Sequence, residues 1–182
     1  MTPAFATERL PDGWTWWRIA DRAREDPLDP SFAAVRGGRW NPPGSYPTLY
    51  LNEDRDTARL NLRAFAAGWP YEPEDLRSDN GPVLVGATLP RSQQVCDLHS
   101  PEGVRRAGLP ATYPLDSKGR TVPRRRCQPT GARVRMAGLR GVRSRSAQAK
   151  DGVGHDLAWF PATARSAASR TVTLAFDDWY WA

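Results

Sequence analysis

The stretch that decides the fold spans residues 36–65 and reads RGGRWNPPGSYPTLYLNEDRDTARLNLRAF. Glycines and prolines interrupt its first part, so a loop is predicted over residues 37–44. The aromatic and apolar residues at 46–51 are typical of a half-buried strand. Acidic residues follow, then apolar residues at helical spacing and a glycine at position 68, which together predict a helix beginning near residue 52.

Outside this stretch, local patterns predict further strands and one short helix. The strands are expected at 15–19, 83–89, 139–147, 156–162 and 171–176, and the helix at 100–109. Because helix-length crossovers do not regularly separate these strands, we predict an α+β fold with a mixed, largely antiparallel β-sheet core flanked by helices. A chain of 182 residues suits one ordinary core, so residues 1–182 are predicted to form a single domain, with residues 1–13 as a flexible N-terminus.

The charge balance favours acidic partners. Lys and Arg number 26 against 20 Asp and Glu, which leaves a net charge of +6. The excess is equally consistent with a solvated basic surface. The run at Arg124–Arg126 raises the alternative of nucleic-acid binding, but aromatic residues are not interleaved with these cations, as a single-strand platform requires, so nucleic acid is an unfavoured partner.

Other classes of protein are disfavoured by what the sequence lacks. Cys96 and Cys127 form no CxxC motif and have no histidines at metal-ligand spacing, so no metal is expected. Neither a signal-peptide core nor an apolar run long enough for a membrane span is found, so we expect a cytoplasmic protein with no membrane partner.

Two polar residues in the deciding stretch are candidates for a site. Arg39, in a loop stiffened by prolines, suits a phosphate clamp, with a structural hydrogen bond to loop carbonyls as the alternative. Asn61 shares a predicted helix face with Ala58, Leu62 and Phe65. A buried amide needs partners, so Asn61 is expected either to close an internal hydrogen-bond network or to line a pocket.

For two segments near the C-terminus the sequence does not settle which role they have. In GVRSRSA (141–147) a strand would place the two serines on one face and the two arginines on the other. The terminal DDWYWA (177–182) is expected either to form an exposed patch that docks on a partner or on a second copy of the chain, or to tuck back onto its own domain. A homo-oligomer is therefore a possibility that the sequence leaves open.

Segments along most of the chain fit one known pattern. They are WWRIA (16–20), GGRWNPPG (37–44) followed by a strand ending in Tyr50 and an Ala-rich helix, CDLHSPEGVRRAGL (96–109), CQPTGARVRMAGLRGVRSRSA (127–147), and a final strand in DLAWF or TVTLAF. In this order they resemble the RES-domain family, which is named for an arginine, a glutamate and a serine of its active site. The most specific part of the resemblance is GGRWN with its correctly spaced tyrosine and helix.

The resemblance implies a set of site residues. The family's arginine falls on Arg39, its pocket tyrosine on Tyr50 and its serine on Ser146, while Asn61 stands where the family has its glutamate. The implied catalytic residues are Arg39, Tyr50, Asn61 and Ser146, and the implied cofactor-binding residues are Arg18, Gly38, Arg39, Trp40, Tyr50 and Ser146.

The resemblance also implies an activity and a partner. It implies a fold related to ADP-ribosyltransferases and diphtheria-type toxins, which would bind NAD as substrate and cleave its nicotinamide glycosidic bond by hydrolysis, phosphorolysis or ADP-ribosyl transfer. Such a protein would act as a toxin neutralised by a cognate antitoxin. Because Asn61 carries no charge, the alternative is a catalytically weakened domain that holds a nucleotide or a partner. In that case Asn61→Glu should raise NAD consumption sharply.

Overall fold

The computed structural model describes residues 5–149, 152–163 and 167–182. These residues contain eight strands, five α-helices and one 3₁₀ turn at Pro73–Asp75. The strands are β1 (Thr7–Arg9), β2 (Trp16–Ala20), β3 (Leu49–Asn52), β4 (Val83–Thr88), β5 (Gln94–Leu98), β6 (Gly141–Arg145), β7 (His155–Trp159) and β8 (Ser169–Leu174). The helices are α1 (Ser31–Arg36), α2 (Arg55–Ala66), α3 (Pro101–Arg106), α4 (Arg124–Met136) and α5 (Phe176–Tyr180).

All eight strands form one sheet in the order β1-β5-β6-β7-β3-β2-β4-β8. The β5–β6 pair is parallel, and every other neighbouring pair of described strands is antiparallel. The predicted α+β class with a mixed, largely antiparallel sheet is therefore confirmed. β3 and β7 lie side by side at the middle of the sheet, although about a hundred residues separate them in sequence.

The predicted loop–strand–helix unit is found in residues 37–66, with the strand shorter than expected. Asp54 is the N-cap of α2, and its carboxylate accepts from the Thr57 backbone N–H at 2.7 Å. Ala58 and Leu62 are buried as predicted, but the prediction that Phe65 faces the core is wrong, because its side chain is 63% exposed. The buried stripe instead continues to Ala66, which leaves Phe65 on a flank of the helix.

A flexible terminus was predicted over residues 1–13. Residues 1–4 lie outside the described residues, and residues 5–13 contain an edge strand. β1 pairs with β5 in antiparallel register, and Phe5 just before it is buried. A half-buried ion pair stabilises the position of β1, because Arg143 Nη1 lies 2.9 Å from Glu8 Oε2. Arg143 also bridges to Glu53, so one guanidinium connects the first strand to the end of β3.

The C-terminal aromatic residues pack back onto the sheet, which is the second of the two alternatives. They form α5, in which Trp179 and Tyr180 are buried, and the Trp179 indole N–H donates to the Pro82 carbonyl. Trp181 remains 53% exposed. The larger aromatic surface is thus buried within the domain. Among the described residues, none of the helices has the length and hydropathy needed to cross a bilayer.

Candidate active site

A cleft of about 500 Å³ opens between the C-terminal half of α2, the loop before β3 and the start of α4. Its walls carry four arginines and two aspartates, namely Arg18, Arg24, Arg39, Arg124, Asp21 and Asp156. A surplus of guanidinium groups favours an anionic ligand, and a cleft of this volume is in the range that proteins use for small molecules and cofactors.

The loop beside the cleft is held by Tyr50. The Tyr50 hydroxyl accepts from the Trp40 backbone N–H at 2.9 Å and donates to Asn41 Oδ1 at 2.7 Å. Asn41 in turn donates to the Ala33 carbonyl. Burial raises the pKa of Tyr50 well above its ordinary value, so the phenol stays protonated and the donor role is maintained. The GGRWN loop therefore has a fixed shape before any ligand binds.

Gly38 is required by this arrangement. A Cβ at Gly38 would lie 2.3 Å from the Tyr50 hydroxyl oxygen. The backbone of Gly38 is held from both sides, because its N–H donates to the Asn41 carbonyl and its carbonyl accepts from Gln128 Nε2. The residue at position 38 therefore brings the backbone close to the tyrosine, and a side chain there would displace the ring.

Arg39 makes the structural hydrogen bond that was one of its two expected roles, and it also lines the cleft. Its Nη1 donates to the Val122 carbonyl at 2.7 Å, just before α4 begins. The same side chain lines the cleft. The structural hydrogen bond orients the guanidinium, and that orientation presents positive charge to whatever occupies the cleft.

Arg18 carries a buried N–H group in the wall of the cleft. It lies on β2, and its Nε is buried without a hydrogen-bond partner among the described residues. Burial, followed by the nearby charge of Arg24, lowers the pKa of Arg18 to about 10, so it stays charged at neutral pH. A buried guanidinium N–H group without a partner is unfavourable unless a ligand accepts from it, and this points to an anion in the cleft.

Asn61 belongs to a polar network on the floor of the cleft. Its Nδ2 donates to Asp156 Oδ1 at 2.9 Å and also to Asn52 Oδ1. Ser146 Oγ lies 3.5 Å from Asn61 Oδ1. Asn61 therefore closes an internal hydrogen-bond network and also lines the cleft, so both of the structural alternatives expected for it are found.

Asp156 is the residue that sequence reasoning missed. Burial raises the pKa of its carboxyl to about 6 from an ordinary 3.8, while hydrogen bonds from Ser146 and Asn61 act in the opposite direction. Asp156 is directly opposite Asn52 on β3 and Ser144 on β6 in the sheet register. A carboxylate at the start of the otherwise apolar segment DLAWF was the available signal, since a charge in a central strand needs a reason.

The structure brings most of the expected site residues together. Those that line the cleft are Arg18, Gly38, Arg39, Trp40, Tyr50 and Asn61. Trp40 is only 2% exposed, and most of its ring packs in the core. Ser146 is fully buried and is not among the residues that line the cleft, whereas Ser144, two positions earlier, does line it.

One trio of described residues outside the cleft has oxygen and nitrogen atoms close enough to hold a metal ion, and it consists of Glu8, Asp97 and His99. Asp97 Oδ1 already accepts from the backbone N–H groups of His99 and Ser100. Arg143 is paired with Glu8 at the same place, so an added cation would meet a guanidinium. This cluster is an ion-pair network that connects β1, β5 and β6.

Comparison with known proteins identifies the family to which the chain belongs. A model of the RES domain matches residues 15–180. Among solved structures, the chain is similar to one titled as the toxin–antitoxin complex MbcT–MbcA of M. tuberculosis, with a TM-score of 0.73 and 20% sequence identity over 97% of this chain and 92% of that one. No curated protein sequence matches the chain. The loop, the tyrosine strand and the following helix all lie within the matched residues, and the chain belongs to the RES-domain family.

Proposed function

We propose that the cleft binds NAD and cleaves the bond between its nicotinamide and ribose. The observation that carries this proposal is that the cleft combines arginine side chains, one with a buried N–H group that lacks a partner among the described residues, with a group of hydrogen-bonded polar side chains. Arg18 and Arg39 offer donors to a pyrophosphate, and Asn61 and Asp156 offer acceptors and donors to ribose hydroxyls. Guanidinium forks bind phosphate oxygens bidentately, which suits the centre of a dinucleotide.

Tyr50 contributes through its ring. The family resemblance implies that this tyrosine stacks on or positions the nicotinamide end of the ligand. Its hydroxyl is already used to hold the loop, so we assign ligand contact to its ring, which lines the cleft. A ring fixed by two hydrogen bonds offers a flat apolar surface at little entropic cost on binding.

The test is to incubate the purified protein with NAD, with and without inorganic phosphate, and to measure released nicotinamide by chromatography. Release without phosphate identifies water as an acceptor, and release that requires phosphate identifies phosphorolysis. NADH is the matched control, because its neutral dihydronicotinamide is a poor leaving group and should remain intact. If the protein neither binds nor consumes NAD, the proposed function is wrong.

We further propose that the chain acts as a toxin on the NAD of its own cell, in the cytoplasm, and is neutralised by a cognate antitoxin. The support is family membership and the similarity in fold to a protein whose structure is titled as a toxin–antitoxin complex. Induced expression should arrest growth and lower cellular NAD, and a catalytically inactive variant should do neither. Normal growth with unchanged NAD at high expression would contradict toxicity.

The second candidate is a catalytically weakened domain that binds a nucleotide without turnover. Its support is the uncharged Asn61 at the position of the family's glutamate. Binding of NAD without release of nicotinamide would favour it. The charge of Asp156, within hydrogen-bond distance of the Asn61 amide, favours the active domain instead.

A further inference from the structure

We propose that Asp156 is the catalytic carboxylate of this protein and that it acts from β7 where the family's glutamate acts from α2. This inference rests on the proposed function. It assigns a role to a residue that the family pattern does not mark. It also explains how the chain can keep an active site although Asn61 is uncharged.

The two positions meet at one point on the floor of the cleft. Asn61 Nδ2 and Asp156 Oδ1 are 2.9 Å apart, so the carboxylate lies within one hydrogen bond of the side chain that stands in for the glutamate. Both residues line the cleft. A carboxylate on β7 can therefore reach the space that a carboxylate on α2 would occupy.

The charge of Asp156 is available to a ligand. No salt bridge joins its carboxylate to a cation among the residues that the structure describes. Its contacts are hydrogen bonds from the Asn61 amide, the Ser146 hydroxyl and the Ala147 backbone N–H. These neutral donors orient the carboxylate without cancelling its charge, so Asn61 and Ser146 are positioning residues.

The chemistry requires such a charge. As the bond between ribose C1′ and the nicotinamide nitrogen breaks, the electron pair leaves with nitrogen, and the positive charge of the pyridinium ring moves to the ribose as an oxocarbenium ion. The carboxylate of Asp156 stabilises that charge. A water or phosphate oxygen then forms the new bond to C1′, and with water one proton is released to solvent. Nicotinamide leaves as a neutral molecule.

The surroundings of Asp156 predict a pH dependence for this step. Burial disfavours the charged carboxylate, whereas the Ser146 hydroxyl just after β6, the Asn61 amide from α2 and the positive charge of Arg39 favour it. The pKa of Asp156 is about 6, so kcat/KM of the wild-type protein should fall about tenfold per pH unit below that value. At pH 7 and above the carboxylate is ionised and the rate should be at its plateau.

The decisive variant is Asp156→Asn, which keeps the shape of the side chain and removes its charge. We expect kcat for NAD to fall by about 10²–10³, the usual cost of losing one electrostatic contact to the transition state. Affinity for ADP-ribose should fall far less than kcat, because that ligand carries no nicotinamide charge and the asparagine can still form a hydrogen bond to a ribose hydroxyl. Asp79→Asn, at an exposed position outside the cleft, is the matched control and should behave as wild type.

A swap variant separates a catalytic role from a structural one. Asn61→Glu combined with Asp156→Asn exchanges amide and carboxylate across the hydrogen bond and should regain much of the lost rate. Asn61→Glu alone places two carboxylates in contact, which cannot both ionise, so it should not raise the rate above wild type. A sharp rise in that single variant would show that the missing charge belongs on α2 and would overturn the proposal.

The outcomes are distinguishable from failure of the proposed function. If the wild type releases nicotinamide and Asp156→Asn does so at the same rate, Asp156 is not the catalytic carboxylate, although NAD cleavage stands. If the wild type neither binds nor cleaves NAD, both proposals fail. If Asp156→Asn does not fold, as judged by its melting curve, Asn61→Glu decides, and a sharp rise in the rate of that variant would refute the inference.

Discussion

Replacing Gly38 by alanine tests whether the site is built around the contact between the GGRWN loop and Tyr50. The added Cβ would lie 2.3 Å from the tyrosine hydroxyl oxygen and 2.4 Å from the adjacent ring carbon. Gly38 does not adopt a left-handed backbone, so alanine causes no conformational strain and the whole effect is steric. Hydrogen bonds hold both the N–H and the carbonyl of Gly38, so the ring must move rather than the loop.

The expected loss of unfolding free energy in Gly38→Ala has two contributions. Overpacking a close contact costs about 1–3 kcal/mol. A displaced Tyr50 also loses its hydrogen bonds to the Trp40 N–H and the Asn41 side chain, at about 0.5–1.5 kcal/mol each. The sum is about 2–6 kcal/mol of unfolding free energy, and for a chain of this size a loss of 3 kcal/mol lowers the melting temperature by about 6–12 °C.

The assay is thermal unfolding of Gly38→Ala beside a matched control, Gly68→Ala. Gly68 lies in open space with nothing within 4 Å of a built Cβ, so its variant should melt within a few degrees of wild type. Tyr50→Phe, which removes the hydroxyl but adds no clash, should fall between the two. Equal melting temperatures for the two alanine variants would refute the argument that position 38 must lack a side chain.

Three further predictions concern packing, ligand binding and pH. Gly131→Ala on α4 would place a Cβ 1.8 Å from the Trp40 carbonyl oxygen. Although alanine normally favours a helix, this variant should destabilise the protein by at least as much as Gly38→Ala. A gain in melting temperature would contradict the packing. Arg18→Gln should weaken ADP-ribose binding, measured by calorimetry, by about 10- to 100-fold, because one charged hydrogen bond is lost. Arg91→Gln, at an exposed site, should have no effect. Equal affinities of the two variants would show that Arg18 does not bind the ligand. The pKa of Asp156 is raised on folding from 3.8 to about 6, so its contribution to stability is fully present below pH 3.8 and is lost as the pH rises through 6. The difference in unfolding free energy between wild type and Asp156→Asn, from denaturant titrations, should therefore shift by up to about 3 kcal/mol across that window, and a difference that is constant with pH would show that the pKa is not raised.

Local sequence patterns predicted the loop, strand and helix that contain Arg39, Tyr50 and Asn61. These elements could be read from the chain because turn residues, strand alternation and helix spacing are properties of neighbours in sequence. The same patterns gave the fold class and, through GGRWN and its tyrosine, the family. The N-terminal strand was missed because its pairing with β5 is formed by residues far along the chain.

What only the tertiary structure decided is where the charge of the site lies. Asn61 and Asp156 are 95 positions apart, and they meet because β7 pairs with β3 in one particular register. A shift of that register by one residue would turn Asp156 to the other face of the sheet. Sequence by itself therefore indicated which segment lines the cleft, whereas the pairing of distant strands decided that a carboxylate of β7 lies beside Asn61, because no local pattern records which strands become neighbours.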